Sequence, residues 1–228
     1  MRVLYVVAES EYDAYFYALC AEWMTGVGYE VAHIKSRKRS GYRAVQSLMG
    51  EVLHKARGEA EGGAEVCFLG AIDNDRAPHP ENAAMDRRRL IRKERTRASR
   101  HDWMLETVFK KLGHDRAAWP LPVALAVPVE MIEAWIVRAS CEEEPQPPCY
   151  FSRAQSQRAR DYYSSATPPQ WKDLADAEQE RRGHSDKRDF YLHVVLNLDA
   201  VALAARSLSF RMFKEWLDAW PKGSAATR

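Results

Sequence analysis

Short apolar runs alternate along this chain with segments whose apolar residues recur every three or four positions. Val3–Ala8 and Val66–Ile72 are uncharged runs too short for a typical helix, and each reads as a buried strand. Tyr29–Ile34 alternates as a half-buried strand does, and Leu121–Pro128 is a fourth apolar run. Between and after them lie helical patterns: Ala14–Gly26, stopped by Gly26 and Gly28; Ala44–Arg57, ended by Gly58–Gly63; the face made by Trp103, Leu105, Val108, Phe109 and Leu112; and Val129–Val137. Such alternation predicts an α/β fold with a mostly parallel sheet, right-handed crossovers and flanking helices. Residues 1–140 form that core in this reading. Residues 141–228 form a C-terminal, mostly helical extension, in which Phe151–Gly183 is polar and uninformative. Apolar patterning resumes from Asp189, and Asp199–Trp220 suggests two helices docked by their aromatic sides.

The third strand organises the chain because it ends in Asp73-Asn74-Asp75. A strand covered on both faces must place its polar end at the carboxyl edge of the sheet, where open α/β sheets bind ligands. Two carboxylates one residue apart repel, a cost usually offset by a divalent ion or by cationic side chains. The alternative is that Asp73 and Asp75 merely begin a turn. The predicted topology gathers the ends of strands one, three and four, so Glu9, the Asp73/Asp75 pair, Glu130 and Glu133 converge. Carboxylates from separate strand ends suit hard cations such as Mg²⁺ or Mn²⁺. Such an ion activates water and neutralises a phosphoryl group, which makes phosphodiester cleavage the chemistry that fits. Taken singly, Glu9 is equally a helix N-terminal acid stabilised by the dipole.

A chain of 228 residues, 46% of them apolar, can hold one good-sized α/β domain, or one domain with a helical appendage. The net charge of +2 conceals a basic stretch: Arg87, Arg88, Arg89, Arg92, Lys93, Arg95, Arg97 and Arg100 stand against only Asp86 and Glu94 between Met85 and Arg100. That stretch is either a solvated charged surface or a cationic stripe holding nucleic-acid phosphates beside the acidic site. Arg37, Lys38, Arg39 and Arg43 extend it. Cys20, Cys67, Cys141 and Cys149 lack metal-site spacing and read as reduced thiols. Val3–Ala8 is too short for a signal segment, and no run reaches membrane-spanning length, so a cytoplasmic protein without membrane contact is expected. There is no Gly-rich phosphate loop and no G-x-S-x-G elbow, which argues against ATP hydrolysis by this chain alone. His79, beside the Asp pair, is either a base or an exposed loop residue.

The strand-end Glu9, the Asp73-x-Asp75 pair and the α/β alternation resemble the Toprim domain, a Rossmann-like fold. More narrowly, the order resembles the small Toprim-like proteins related to the overcoming-lysogenization-defect (OLD) nucleases, including a bacterial group often paired with an ABC-type ATPase. The Glu-Gly-x-Thr-Glu pattern of that family stands here as Glu9-Ser10-Glu11-Tyr12-Asp13, with Ser10 for the glycine and Tyr12 for the Thr. Pro128–Trp135 is similar to its Pro-x-x-Glu-x-x-Glu-Ala-Trp segment, and Ser207–Phe213 to a segment near its end. The resemblance implies metal roles for Glu9, Asp73 and Asp75, with Asp13, Glu130 and Glu133 as further candidates. It also implies Mg²⁺ or Mn²⁺ as cofactor, nucleic acid as substrate, an ATPase partner and anti-phage defence. Two other readings remain: a metal-dependent nucleotide-sugar transferase, and a non-catalytic subunit that binds a partner through its C-terminal aromatic helices.

Overall fold

The computed structural model describes residues 2–34, 42–73, 100–128, 132–140 and 171–222. The chain runs β1 (Arg2–Val7), α1 (Glu11–Thr25), β2 (Tyr29–His33), α2 (Tyr42–Glu61), β3 (Val66–Ala71), α3 (Arg100–Leu112), β4 (Val123–Ala126), α4 (Ile132–Ser140), α5 (Trp171–Arg181), α6 (Lys187–Leu196), α7 (Ala200–Arg206) and α8 (Leu208–Asp218). It is an α/β fold. The strands form one sheet in the order β2-β1-β3-β4. All pairings are parallel, with Leu4 opposite Val31 and Cys67, and Leu69 opposite Ala124. The mostly parallel sheet expected from the sequence is therefore wholly parallel among the described strands.

That order, with right-handed crossovers, fixes which face of the sheet each helix covers. From β1 the chain first steps outward to β2, then returns past β1 to β3 and β4, so its direction across the sheet reverses once. Right-handed crossovers must then set α1 on one face and α2 and α3 on the other. β3 lies between β1 and β4, and every one of its residues is buried, as its uncharged sequence requires. Close packing there also explains Gly70. A Cβ on this residue would lie 3.0 Å from Met104 Cε and 3.3 Å from Met49 Cε, so the helices of that face sit directly on the β3 backbone.

On the α1 face the aromatic residues of the C-terminal helices complete the same hydrophobic core. Trp135 of α4 is fully buried, stacks on Phe213 at 5.6 Å and meets Tyr17 and Phe210 edge-on. Its indole N–H donates to Ser209 Oγ, which satisfies the one polar atom it buries. Trp220 Nε1 donates to the carbonyl of Val123, so this segment occupies a main-chain acceptor of edge strand β4.

Element boundaries move where local polar chemistry outweighs periodicity. α1 starts at Glu11, three residues before its first apolar position, because Ser10 caps it; it ends at Gly26, whose φ of 67° is the left-handed conformation glycine adopts freely. β4 is confined to Val123–Ala126, between prolines that lack an N–H to donate. The polar region of 151–183 contains helix α5, which the sequence pattern does not reveal. No helix among the described residues is long and apolar enough to cross a membrane.

Candidate active site

Glu9 and Asp73 each lie two residues beyond the end of a strand, β1 and β3 respectively. These strands are adjacent and parallel, paired as far as Val7 opposite Gly70, so both acids leave the sheet at its carboxyl edge. They also flank the point where the strand order reverses, where crossovers on opposite faces leave a crevice. Oε1 of Glu9 accepts a hydrogen bond of 3.3 Å from the Asp73 backbone N–H. The Asp73 carbonyl accepts from the Arg100 guanidinium at the start of α3. The end of β3 is thus clamped from both sides by side chains, and the sequence-predicted pair Glu9 and Asp73 is brought together.

Asp13 arrives by a different route. Ser10 is the N-cap of α1, and its hydroxyl accepts from the Asp13 N–H while Asp13 Oδ2 accepts from the Ser10 N–H at 3.0 Å. This is a capping box. The serine that replaces the glycine of the resembled motif therefore has a local reason, since it satisfies donors that a helix start leaves open. Burial raises the Asp13 carboxyl above its usual range; the Ser10 bonds and Lys187 oppose that rise, and the charge of Glu133 adds to it. One Asp13 oxygen is thus committed to the helix cap, and the acid remains within electrostatic reach of Glu133.

Glu133 stands in the first turn of α4 and is almost wholly buried. Its Oε1 lies 3.2 Å from the Lys187 ammonium, the first residue of α6. A buried carboxylate needs such a partner. Lys187 also lies over the Tyr191 ring at 5.3 Å and the Tyr12 ring at 5.8 Å. Glu133 is therefore paired with a partly exposed lysine, a role the sequence reading does not assign it.

Tyr17 shows how these acids are grouped. Its buried hydroxyl is pushed well up by desolvation, and then by the charges of Asp73, Asp13, Glu133 and Glu9. Those four candidates therefore all act electrostatically on one buried phenol. Tyr191, also fully buried, is raised by desolvation and by Glu133, Asp13, Asp176 and Asp73. Its hydroxyl has no hydrogen-bond partner among the described residues.

The oxygens of Glu9, Asp73 and Asp13 are the donor type a hard divalent cation takes. Among the described residues, however, no group of three or more His, Cys, Asp or Glu side chains is close enough to hold such an ion. Asp75 and Glu130 lie outside the described residues, as do Arg87, Arg88, Arg89, Arg92, Lys93, Arg95 and Arg97 and the loop histidine His79. Arg100 alone of the basic stretch is described, and it borders the site.

Sequence reasoning missed Tyr17, Lys187, Tyr191 and Arg188. Tyr17 lies on the apolar face of α1 and reads as core. Lys187 and Arg188 open a helix whose apolar positions begin only at Phe190, and their partners Glu133 and Glu11 are remote in sequence. Comparison with protein-family models, with curated proteins and with solved structures gives no match to this chain.

Proposed function

We propose that this chain is a divalent-metal-dependent nuclease that hydrolyses phosphodiester bonds of DNA or RNA at the carboxyl edge of its sheet. The observation that carries the reading is the convergence of Glu9 and Asp73 at the ends of adjacent parallel strands, where the strand order reverses and Glu9 accepts from the Asp73 N–H. Glu9 and Asp73 would hold Mg²⁺ or Mn²⁺, with Asp75 as a further donor. When bound, the ion supplies an acidified water and neutralises charge on the phosphoryl group. Lys187 balances Glu133, so the edge carries less net negative charge than its acids alone suggest, and a phosphate can approach. The family resemblance adds an ATPase partner and a role in anti-phage defence to the proposal. A cytoplasmic setting suits the free, buried thiols of Cys20 and Cys67.

One observation favours a second reading, a non-catalytic subunit. Asp13 and Glu133 are both engaged in structural contacts, a helix cap and an ion pair. Incubating the purified protein with plasmid, linear and single-stranded DNA and with tRNA, with and without Mn²⁺ or Mg²⁺, separates the two. Metal-dependent cleavage that disappears in Glu9→Gln and in Asp73→Asn, at an unchanged thermal midpoint, is the expected result. No cleavage of any substrate by the wild type, or full cleavage by both variants, overturns the nuclease reading.

A further inference from the structure

Beside the carboxylate edge, the first turns of α1 and α6 form an exposed lip of alternating rings and cations. Tyr12 is 43% exposed although it sits in the first turn of a helix whose other face is core. The Lys187 ammonium lies 5.8 Å from its ring centre and the Arg188 guanidinium 5.9 Å. Arg188 also lies 5.6 Å from the Tyr15 ring one turn further along α1. Both cations are held by carboxylates, Lys187 by Glu133 and Arg188 by Glu11. Each ion pair still leaves N–H donors over, because an ammonium carries three and a guanidinium five. The side chains of Lys187 and Arg188 keep 27% and 48% exposure, so those donors reach solvent.

A partly exposed ring with two cations close to it matches the chemistry of single-stranded nucleic acid. Bases stack on aromatic faces without regard to sequence, and the adjoining phosphates take the positive charge. A duplex hides its base faces and would use only the cations. At the opposite end of the sheet Trp216 is buried with Arg116 over its ring at 3.9 Å, and the partly buried Trp119 stacks on it.

We propose that the lip of Tyr12, Tyr15, Lys187 and Arg188 is a subsite for single-stranded nucleic acid, with one base stacked on Tyr12 and the flanking phosphates on Lys187 and Arg188. The subsite rests on the nuclease reading for its purpose, since Tyr12 lies three residues from Glu9 and would lead a strand onto the carboxylates. It names the substrate form that reading leaves open.

The test is fluorescence anisotropy of labelled oligo-dT, oligo-U and a DNA duplex, measured without divalent ions so that binding is read apart from cleavage. Tyr12→Ala is expected to weaken single-strand binding by about 5- to 100-fold, the range for loss of one stacked base. Tyr12→Phe is expected to retain it, and duplex binding to change little in either variant. Arg188→Gln, at an exposed position, is expected to flatten the log–log salt dependence by about 0.7. A stronger loss for oligo-dT than for oligo-U identifies DNA as the preferred strand, and the reverse identifies RNA. Wild-type affinity in Tyr12→Ala, absence of single-strand binding by the wild type, or an equal loss for the duplex each overturns the subsite. If Tyr12-dependent binding is found but no ion supports cleavage, the subsite stands and the nuclease reading falls. If cleavage is found without dependence on Tyr12, the reverse holds.

Discussion

Tyr17 belongs to two clusters built on opposite principles. Its ring packs in the wedge of Trp135, Phe210 and Phe213, where each aromatic residue touches at least two others. Its hydroxyl is raised by the charges of Glu9, Asp13, Asp73 and Glu133, acids whose own contacts are single hydrogen bonds and an ion pair. The wedge gains from burial and holds no charge; the edge concentrates charge at a cost. Proteins hold costly groups together where the surroundings over-determine them, and such places are often functional. Substitutions in the wedge should therefore be read out in stability, and substitutions at the edge in chemistry.

The largest expected effect lies in the wedge. Trp135→Ala removes a fully buried indole together with its hydrogen bond to Ser209, and should cost about 3–5 kcal/mol, read as a fall in the denaturation midpoint. A loss below about 1 kcal/mol would mean the wedge is not the keystone of the C-terminal helices. A smaller effect is expected where the clusters adjoin. Lys187→Met leaves Glu133 buried without its cation and should destabilise by roughly 1–3 kcal/mol, less than a fully buried pair because Lys187 is partly exposed. Its partner variant, Glu133→Gln with Lys187→Met, should recover much of that loss, since neither charge is then stranded.

The smallest effect concerns Asp13 and its sign is set by burial. Its carboxyl titrates above the usual 3.8, so the folded state holds a proton that the unfolded state has released. Stability from this group therefore falls as pH rises from about 3.8 through the raised value, and the cost is fully present above it. Asp13→Asn keeps an oxygen for the Ser10 N–H and removes that cost, so at neutral pH the variant should match or slightly exceed the wild type in midpoint. Its advantage should shrink on acidification below the raised value. A variant clearly less stable at neutral pH would show that the charge of the capping box outweighs the desolvation.

The legibility of these clusters in the sequence differs for the same physical reason. β1 and β3 are legible because a strand covered on both faces must be an uncharged run, and Glu9 and Asp73 because such a run ends abruptly in acid. The aromatic docking of α8 is legible in the spacing of Phe210, Phe213 and Leu217. Helix α5 is not, because among its described side chains only Ala175 and Glu178 are buried, so no apolar stripe shows. The start of α1 was hidden because Glu11-Tyr12-Asp13 carries no apolar signal, and the capping box that fixes it is a pair of polar bonds. The pairing of Glu133 with Lys187 joins residues 54 apart and leaves no local trace.

The central claim is that Glu9 and Asp73 are brought to one edge to share a divalent cation. The most direct measurement is the thermal midpoint of wild type and Asp73→Asn with and without Mn²⁺, because an ion bound only to the folded state stabilises it by mass action, about 2.7 kcal/mol at a hundredfold excess over Kd. The expected result is a midpoint that rises with Mn²⁺ in the wild type and stays fixed in Asp73→Asn. An equal rise in both proteins, or no rise in the wild type, contradicts it.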